Sequence, residues 1–152
     1  MSDIHTSRSW EGIRLNGMPT LTFLDTANRN GVNLNNTGYR AGVIFEVPED
    51  MNITGGACLF TTCGAGNKYK WELWPASTTV AGSPDTSGTV LAESAQITAT
   101  EDTREENTFT SPYAASKGDV LVLVLVVVVR ANSWVFLNKI CCTFSVAWAA
   151  QT

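Results

Sequence analysis

One histidine, four cysteines and three adjacent carboxylate pairs are the side chains of this sequence best suited to catalysis or metal binding. Their placement argues against both. His5 stands in a polar N-terminal stretch, so a Ser-His-Asp or Cys-His relay would hang its general base on an arm without a scaffold. Hydrolytic metal sites rest mostly on histidine, and a single one does not build them. The pairs Glu49–Asp50, Glu101–Asp102 and Glu105–Glu106 sit beside turn residues. They read as solvated charge rather than as the two facing carboxylates of a glycosidase. The segment Asp25 to Gly38 superficially resembles a calcium loop, but Ala27 and Arg29 occupy positions that would have to carry oxygen ligands. No phosphate-cradling or dinucleotide glycine pattern occurs. The expectation is a protein that is not an enzyme, with no metal and no cofactor.

The cysteines are Cys58, Cys63, Cys141 and Cys142. Neighbouring residues on a strand point to opposite faces, so Cys141 and Cys142 are poorly placed to bond each other or to share a metal. A C-x4-C spacing with a vicinal pair also lacks the paired C-x2-C pattern of zinc sites. Buried free thiols acting as small hydrophobes are favoured over a disulfide, and a disulfide over zinc.

The chain has 152 residues, 44% of them hydrophobic and only 16% charged, with a net charge of −4. That composition suits one globular domain and is poor in charge against the usual quarter. No lysine or arginine cluster is present to neutralise a phosphate backbone, so nucleic acid is not an expected partner. The N-terminus shows no charged segment followed by an apolar one, which predicts synthesis in a cytoplasm without export. The sequons at Asn35 and Asn52 then carry no weight. Residues 120–129, VLVLVLVVVV, fall well short of the roughly 20 apolar residues of a membrane-crossing helix.

That valine-rich run is the strongest structural signal. Valine is stiff at χ1 and favours strands, and apolar residues at both parities predict a strand buried on both faces, or buried on one and covered on the other by a partner subunit. Lys68 to Trp74 alternates cleanly, with Tyr69, Trp71 and Leu73 inward and Lys68, Lys70 and Glu72 outward. Trp74 shares the outward parity. Further strands are expected at Thr20–Leu24, Tyr39–Val47, Asn52–Thr62 (kinked at Gly55-Gly56), Val90–Ala92, Ala95–Thr98 and Asn107–Thr110. The segment from Ser133 to Ala150 alternates through Trp134, Phe136, Ile140, Cys142, Phe144, Val146 and Trp148. Glu101 to Glu106 is expected to be exposed. Eight or nine strands with turn signals every 8 to 12 residues predict an all-β antiparallel sandwich, with jelly roll the preferred topology. Residues 1–19 are read as an extended arm and 20–152 as the sandwich domain.

Two segments resemble known modules. Lys68 to Trp74, the loop Gly82-Ser83-Pro84-Asp85-Thr86-Ser87-Gly88-Thr89 and Val90-Leu91-Ala92 are similar to a layout in β-sandwich modules of phage and bacterial surface proteins. Ser116-Lys117-Gly118-Asp119 ahead of an apolar strand resembles a turn of jelly-roll virion and adhesion domains. The resemblance implies a structural virion protein, such as a capsid decoration (cement) subunit, located in the virion and bound to a major capsid protein or another virion protein. The alternative it implies is a glycan-binding or receptor-binding module of a tail fibre. A bare second face on the valine strand would be an aggregation hazard that closed symmetry hides, and the resemblance to decoration proteins at capsid three-fold positions implies a homotrimer. Trp10 and Ile13 in the arm and Val126 and Val127 in the strand are the expected interface residues. Trp74 and Tyr69 are the candidates for stacking on a sugar.

Overall fold

A computed structural model describes residues 20–24, 37–38, 40–60, 65–101, 103–129 and 140–151. The arm with Trp10 and Ile13, Cys63, and residues 130–139 with Trp134 and Phe136 lie outside the described residues. Among the described residues the regular elements are nine strands: β1 (Thr20–Leu24), β2 (Arg40–Glu46), β3 (Met51–Phe60), β4 (Lys68–Pro75), β5 (Ala92–Glu93), β6 (Ile97–Thr98), β7 (Thr103–Ala115), β8 (Val120–Val129) and β9 (Ile140–Ala150). Strands β1, β9, β3 and β7 pair in that order in one antiparallel sheet. Strands β2, β8, β4 and β5 pair in that order in a second, and β6 adds to β4.

The alternation places the core between the sheets. From the second sheet come Val43, Phe45, Tyr69, Trp71, Leu73, Leu121, Leu123, Leu125 and Val127, and from the first Met51, Ile53, Cys58, Phe60 and Val146. Trp71 is the largest of the fully buried side chains. It needs space on the facing sheet, and Gly56 supplies it. A Cβ on Gly56 would stand 2.8 Å from Trp71 Cδ2 and 3.0 Å from Leu123 Cδ2.

Beside it, Gly55 solves a different problem. Its pairing with Thr108 brings two backbones so close that a Cβ would stand 2.0 Å from the Asn107 carbonyl oxygen. The ladder slips at this point, as the Gly55-Gly56 pair predicts: Gly55 faces Thr108 while Ile53 already faces Tyr113. Residues 109–112 therefore bulge from the first sheet, and Phe109, buried in the core, bridges to Ser94. Ser94 is tied to β4: its amide donates to the Trp71 carbonyl at 3.0 Å, and its Oγ accepts the Trp71 amide at 2.9 Å. One side of the sandwich is thus closed by a strand that leans from one sheet to the other.

The acidic stretch before Asn107 is exposed at Glu101, Thr103, Arg104 and Glu106, as expected, but from Thr103 it is strand rather than loop. Strand β7 begins at Thr103, and Glu105 is half-buried within it. Strands β5 and β6 are shorter than expected, two residues each. At the turn into β8, Gly118 takes the left-handed conformation (φ 89°), which an L side chain adopts only with strain.

Replacing Gly55 by alanine forces two paired backbones apart and is expected to cost about 2–3 kcal/mol. Gly88→Ala, with open space around its Cβ, should be close to neutral. Urea unfolding of the two variants checks the contrast.

Candidate functional site

The second sheet has an outer face, and its composition is unusual for a surface. Strand β8 runs between β2 and β4, so three cross-strand rows form: Ile44–Val122–Trp74, Gly42–Val124–Glu72 and Arg40–Val126–Lys70. The middle members, Val122, Val124 and Val126, are buried, and they form a second small apolar cluster with Ile44, Trp74 and Ala76. Residues 121–127 of β8 are therefore buried on both faces within one chain, and the bare outer face from which a covering copy was expected is not found there.

A polar network runs along the same face on β4. Glu72 is only 5% exposed, although it points away from the core. A buried carboxylate is costly unless paired, and this one is paired twice. Lys70 Nζ lies 2.9 Å from its Oε1, and the Trp74 indole Nε1 donates to its Oε2 at 2.9 Å. Lys70 also donates to Glu93 Oε2 at 2.7 Å. The hydrogen bond to Glu93, and then that to Glu72, raise the affinity of Lys70 for its proton. The carboxylate of Glu72 thus holds the indole beside the valine row, so the half-buried Trp74 is orientated rather than free to turn.

Behind this sheet lies a second polar group. Tyr69 is 2% exposed, its ring packed against Phe60 (centroids 4.9 Å apart) and edge-on to Trp71 (6.3 Å). Its hydroxyl crosses the sandwich: it donates to Glu105 Oε2 at 2.6 Å and accepts from Asn107 Nδ2 at 2.7 Å. Cys58 is a free, buried thiol next to it. Burial first, and the Glu105 charge second, push the Cys58 thiol well above its ordinary range. Burial, then Cys58, then Glu105 do the same to the Tyr69 phenol. Neither is suited to act as a nucleophile near neutral pH. Among the described residues no group of three or more His, Cys, Asp or Glu is placed to hold a metal ion.

These positions revise several sequence expectations. Val127 belongs to the core between the sheets and presents nothing to a partner. Val126 is on the outer face, yet largely covered. Tyr69 and Trp74 lie on opposite faces of β4, so they do not make a shared sugar-stacking platform, and the Tyr69 ring is enclosed. Sequence reasoning missed the roles of Glu105, read as part of an exposed acidic stretch, and of Asn107, read as the first residue of a strand with no partner for its amide. It also missed Ile44, whose outward parity in β2 beside Val43 and Phe45 was a usable signal for a covered outer face. The chain matches no protein-family model, no curated protein and no solved structure.

The proton affinities of Cys58 and Tyr69 make stability depend on pH with a definite sign. Both hold their protons more tightly folded than unfolded, so stability is full below the ordinary thiol range near about pH 8.5 and falls as pH rises past it. One group that ionises only on unfolding contributes a slope of about 1.4 kcal/mol per pH unit. Urea titrations should show this decline, and Cys58→Ala should make it shallower between about pH 9 and pH 10, before the tyrosine range is reached.

Proposed function

We propose that this chain is a structural virion protein, a jelly-roll capsid decoration subunit that stabilises a shell through protein–protein contacts. The observation that carries the reading is the strand order: β1-β9-β3-β7 against β2-β8-β4-β5. With the two-residue β6 set aside, that order supports reading the sandwich as the double Greek key of a jelly roll, an architecture recurrent in viral capsid and lectin domains. The turn Ser116-Lys117-Gly118-Asp119 leading into β8 agrees with it. In this proposal the chemistry of the chain is contact, not catalysis: a rigid sandwich presents a fixed surface, and copies associate as a closed trimer, a state that rests on the resemblance alone now that the chain itself covers the outer valine face.

Jelly rolls also serve as lectins, and a half-buried Trp74 held by Glu72 is the one feature that favours the glycan-binding alternative. The two readings separate cleanly in one experiment. Recombinant protein is sedimented with particles from its source and, in parallel, applied to a glycan array. A decoration subunit co-sediments stoichiometrically, is a trimer in sedimentation equilibrium at micromolar concentration and leaves the array blank. A monomer that stays in the supernatant overturns the proposal, and one that also binds a glycan in a Trp74-dependent way establishes the alternative.

A further inference from the structure

Among the described residues, large hydrophobics are left exposed at both ends of β8, Val129 at one end and Val120 at the other together with Val80 of the 76–91 connection. Val80 (56% exposed) and Val120 (45%) are the most exposed of the large hydrophobics. Their segments form one hydrogen-bonded area of backbone. The Ala76 amide donates to the Val120 carbonyl at 2.9 Å, Ala76 pairs with Pro84, and the Ser83 amide returns to the Val80 carbonyl at 3.2 Å. Through Ala76 this area joins the partly exposed Ile44 and Trp74 at the edge of the buried valine row. An apolar centre of this kind, rimmed by polar groups, marks a protein-contact surface.

The rim has one sign. The connections at this end, residues 46–50, 76–91 and 116–120, carry Glu46, Glu49, Asp50, Asp85 and Asp119 against the single cation Lys117. Their net charge of −4 equals that of the whole chain. Hydrogen bonds knit them together: the Lys117 amide donates to Asp50 Oδ1 at 2.9 Å, and the Val47 amide donates to the Asp119 carbonyl at 2.8 Å. The Asp85 amide donates to the Pro75 carbonyl at 2.8 Å. Two copies meeting through this surface would oppose like charge across an apolar centre, which disfavours self-association here.

We propose that this end docks a protein of a different kind, one that offers an apolar projection flanked by lysine or arginine. Val80 and Val120 supply the apolar contact, and Glu46 and Glu49 steer and hold the basic flanks. This rests on the structural reading above and assigns the surface it uses toward its non-self partner. Contacts between copies then fall elsewhere on the sandwich.

The test uses the full chain and immobilised peptides: one alternating lysine with leucine, one alternating lysine with serine. The wild type should prefer the lysine-leucine peptide, with an affinity that falls as salt rises. Glu46→Gln with Glu49→Gln should weaken that binding about tenfold, a loss of about 1.4 kcal/mol. Thr108→Lys with Thr110→Lys, the same change of net charge on exposed positions of β7, should leave it within about twofold. Val80→Ser with Val120→Ser should remove the preference for leucine over serine at unchanged net charge. Matching melting curves establish that each variant is folded, and all six substituted positions are exposed. Equal weakening by the two charge changes, or a preference that survives the valine changes, overturns the proposal. Particle co-sedimentation reads the virion assignment separately. Protein that stays off particles but binds the peptide through this end loses only that assignment, whereas particle-bound protein without selectivity loses only this one.

Discussion

The packing of the Trp71 indole onto Gly56 is the contact on which the sandwich is built. Trp71 is fully buried at the centre of β4, and the backbone of β3 lies where a side chain would otherwise be. Interiors are packed as densely as organic crystals, so a large ring on one sheet requires a gap on the other. With the gap filled, Leu123 on β8 and Phe45 on β2 settle around the same centre. The neighbouring Gly55 lets β7 come close, and the slip there swings Phe109 across to Ser94, whose two hydrogen bonds to the Trp71 backbone complete the circuit. Two adjacent glycines thus set both the depth of the core and the closure of one side.

A second consequence concerns β8. An antiparallel sheet commonly turns one face to water, and the outward side chains of a central strand are then polar. Here they are valines, shielded by Trp74, Ile44 and Ala76, with a buried Glu72 keeping the indole in place. The charge on Glu72 is offset by Lys70, which Glu93 in turn anchors. Most of the outward apolar surface of β8 is accommodated within one chain, and among the described residues the valines left exposed are Val120 and Val129 at the ends of the strand and Val80 in a connection.

Much of this was legible in the residues themselves. Strict alternation from Lys68 to Trp74, the valine run and the turn at Gly118 place strands directly, because each reflects a local preference of the backbone. The Gly55-Gly56 irregularity was legible as well, since a glycine pair inside a strand signals close approach. What alternation does not carry is depth. Glu72 has the parity of a solvent-facing residue and is buried only because Trp74 and Lys70 lie on it. Glu105 reads as part of an acidic loop and is drawn inward by a hydroxyl 36 residues away in sequence. Both depend on pairings between distant segments, which no local pattern encodes. Tyr69 is the opposite case: its own parity placed the ring inward, against the stacking role also expected of it, and the core closes over it.

Which valines meet water decides between a chain that covers its own central strand and one that waits for a partner to do so. Methyl NMR of the isolated protein with a soluble paramagnetic agent reads this residue by residue. Val122, Val124 and Val126 should be protected as well as the interior Val127, while Val80 and Val120 should broaden strongly. Broadening of Val122, Val124 and Val126 to the level of Val80 would mean that the outer face is open, contradicting the self-covered sheet and returning the valine row to the list of docking surfaces.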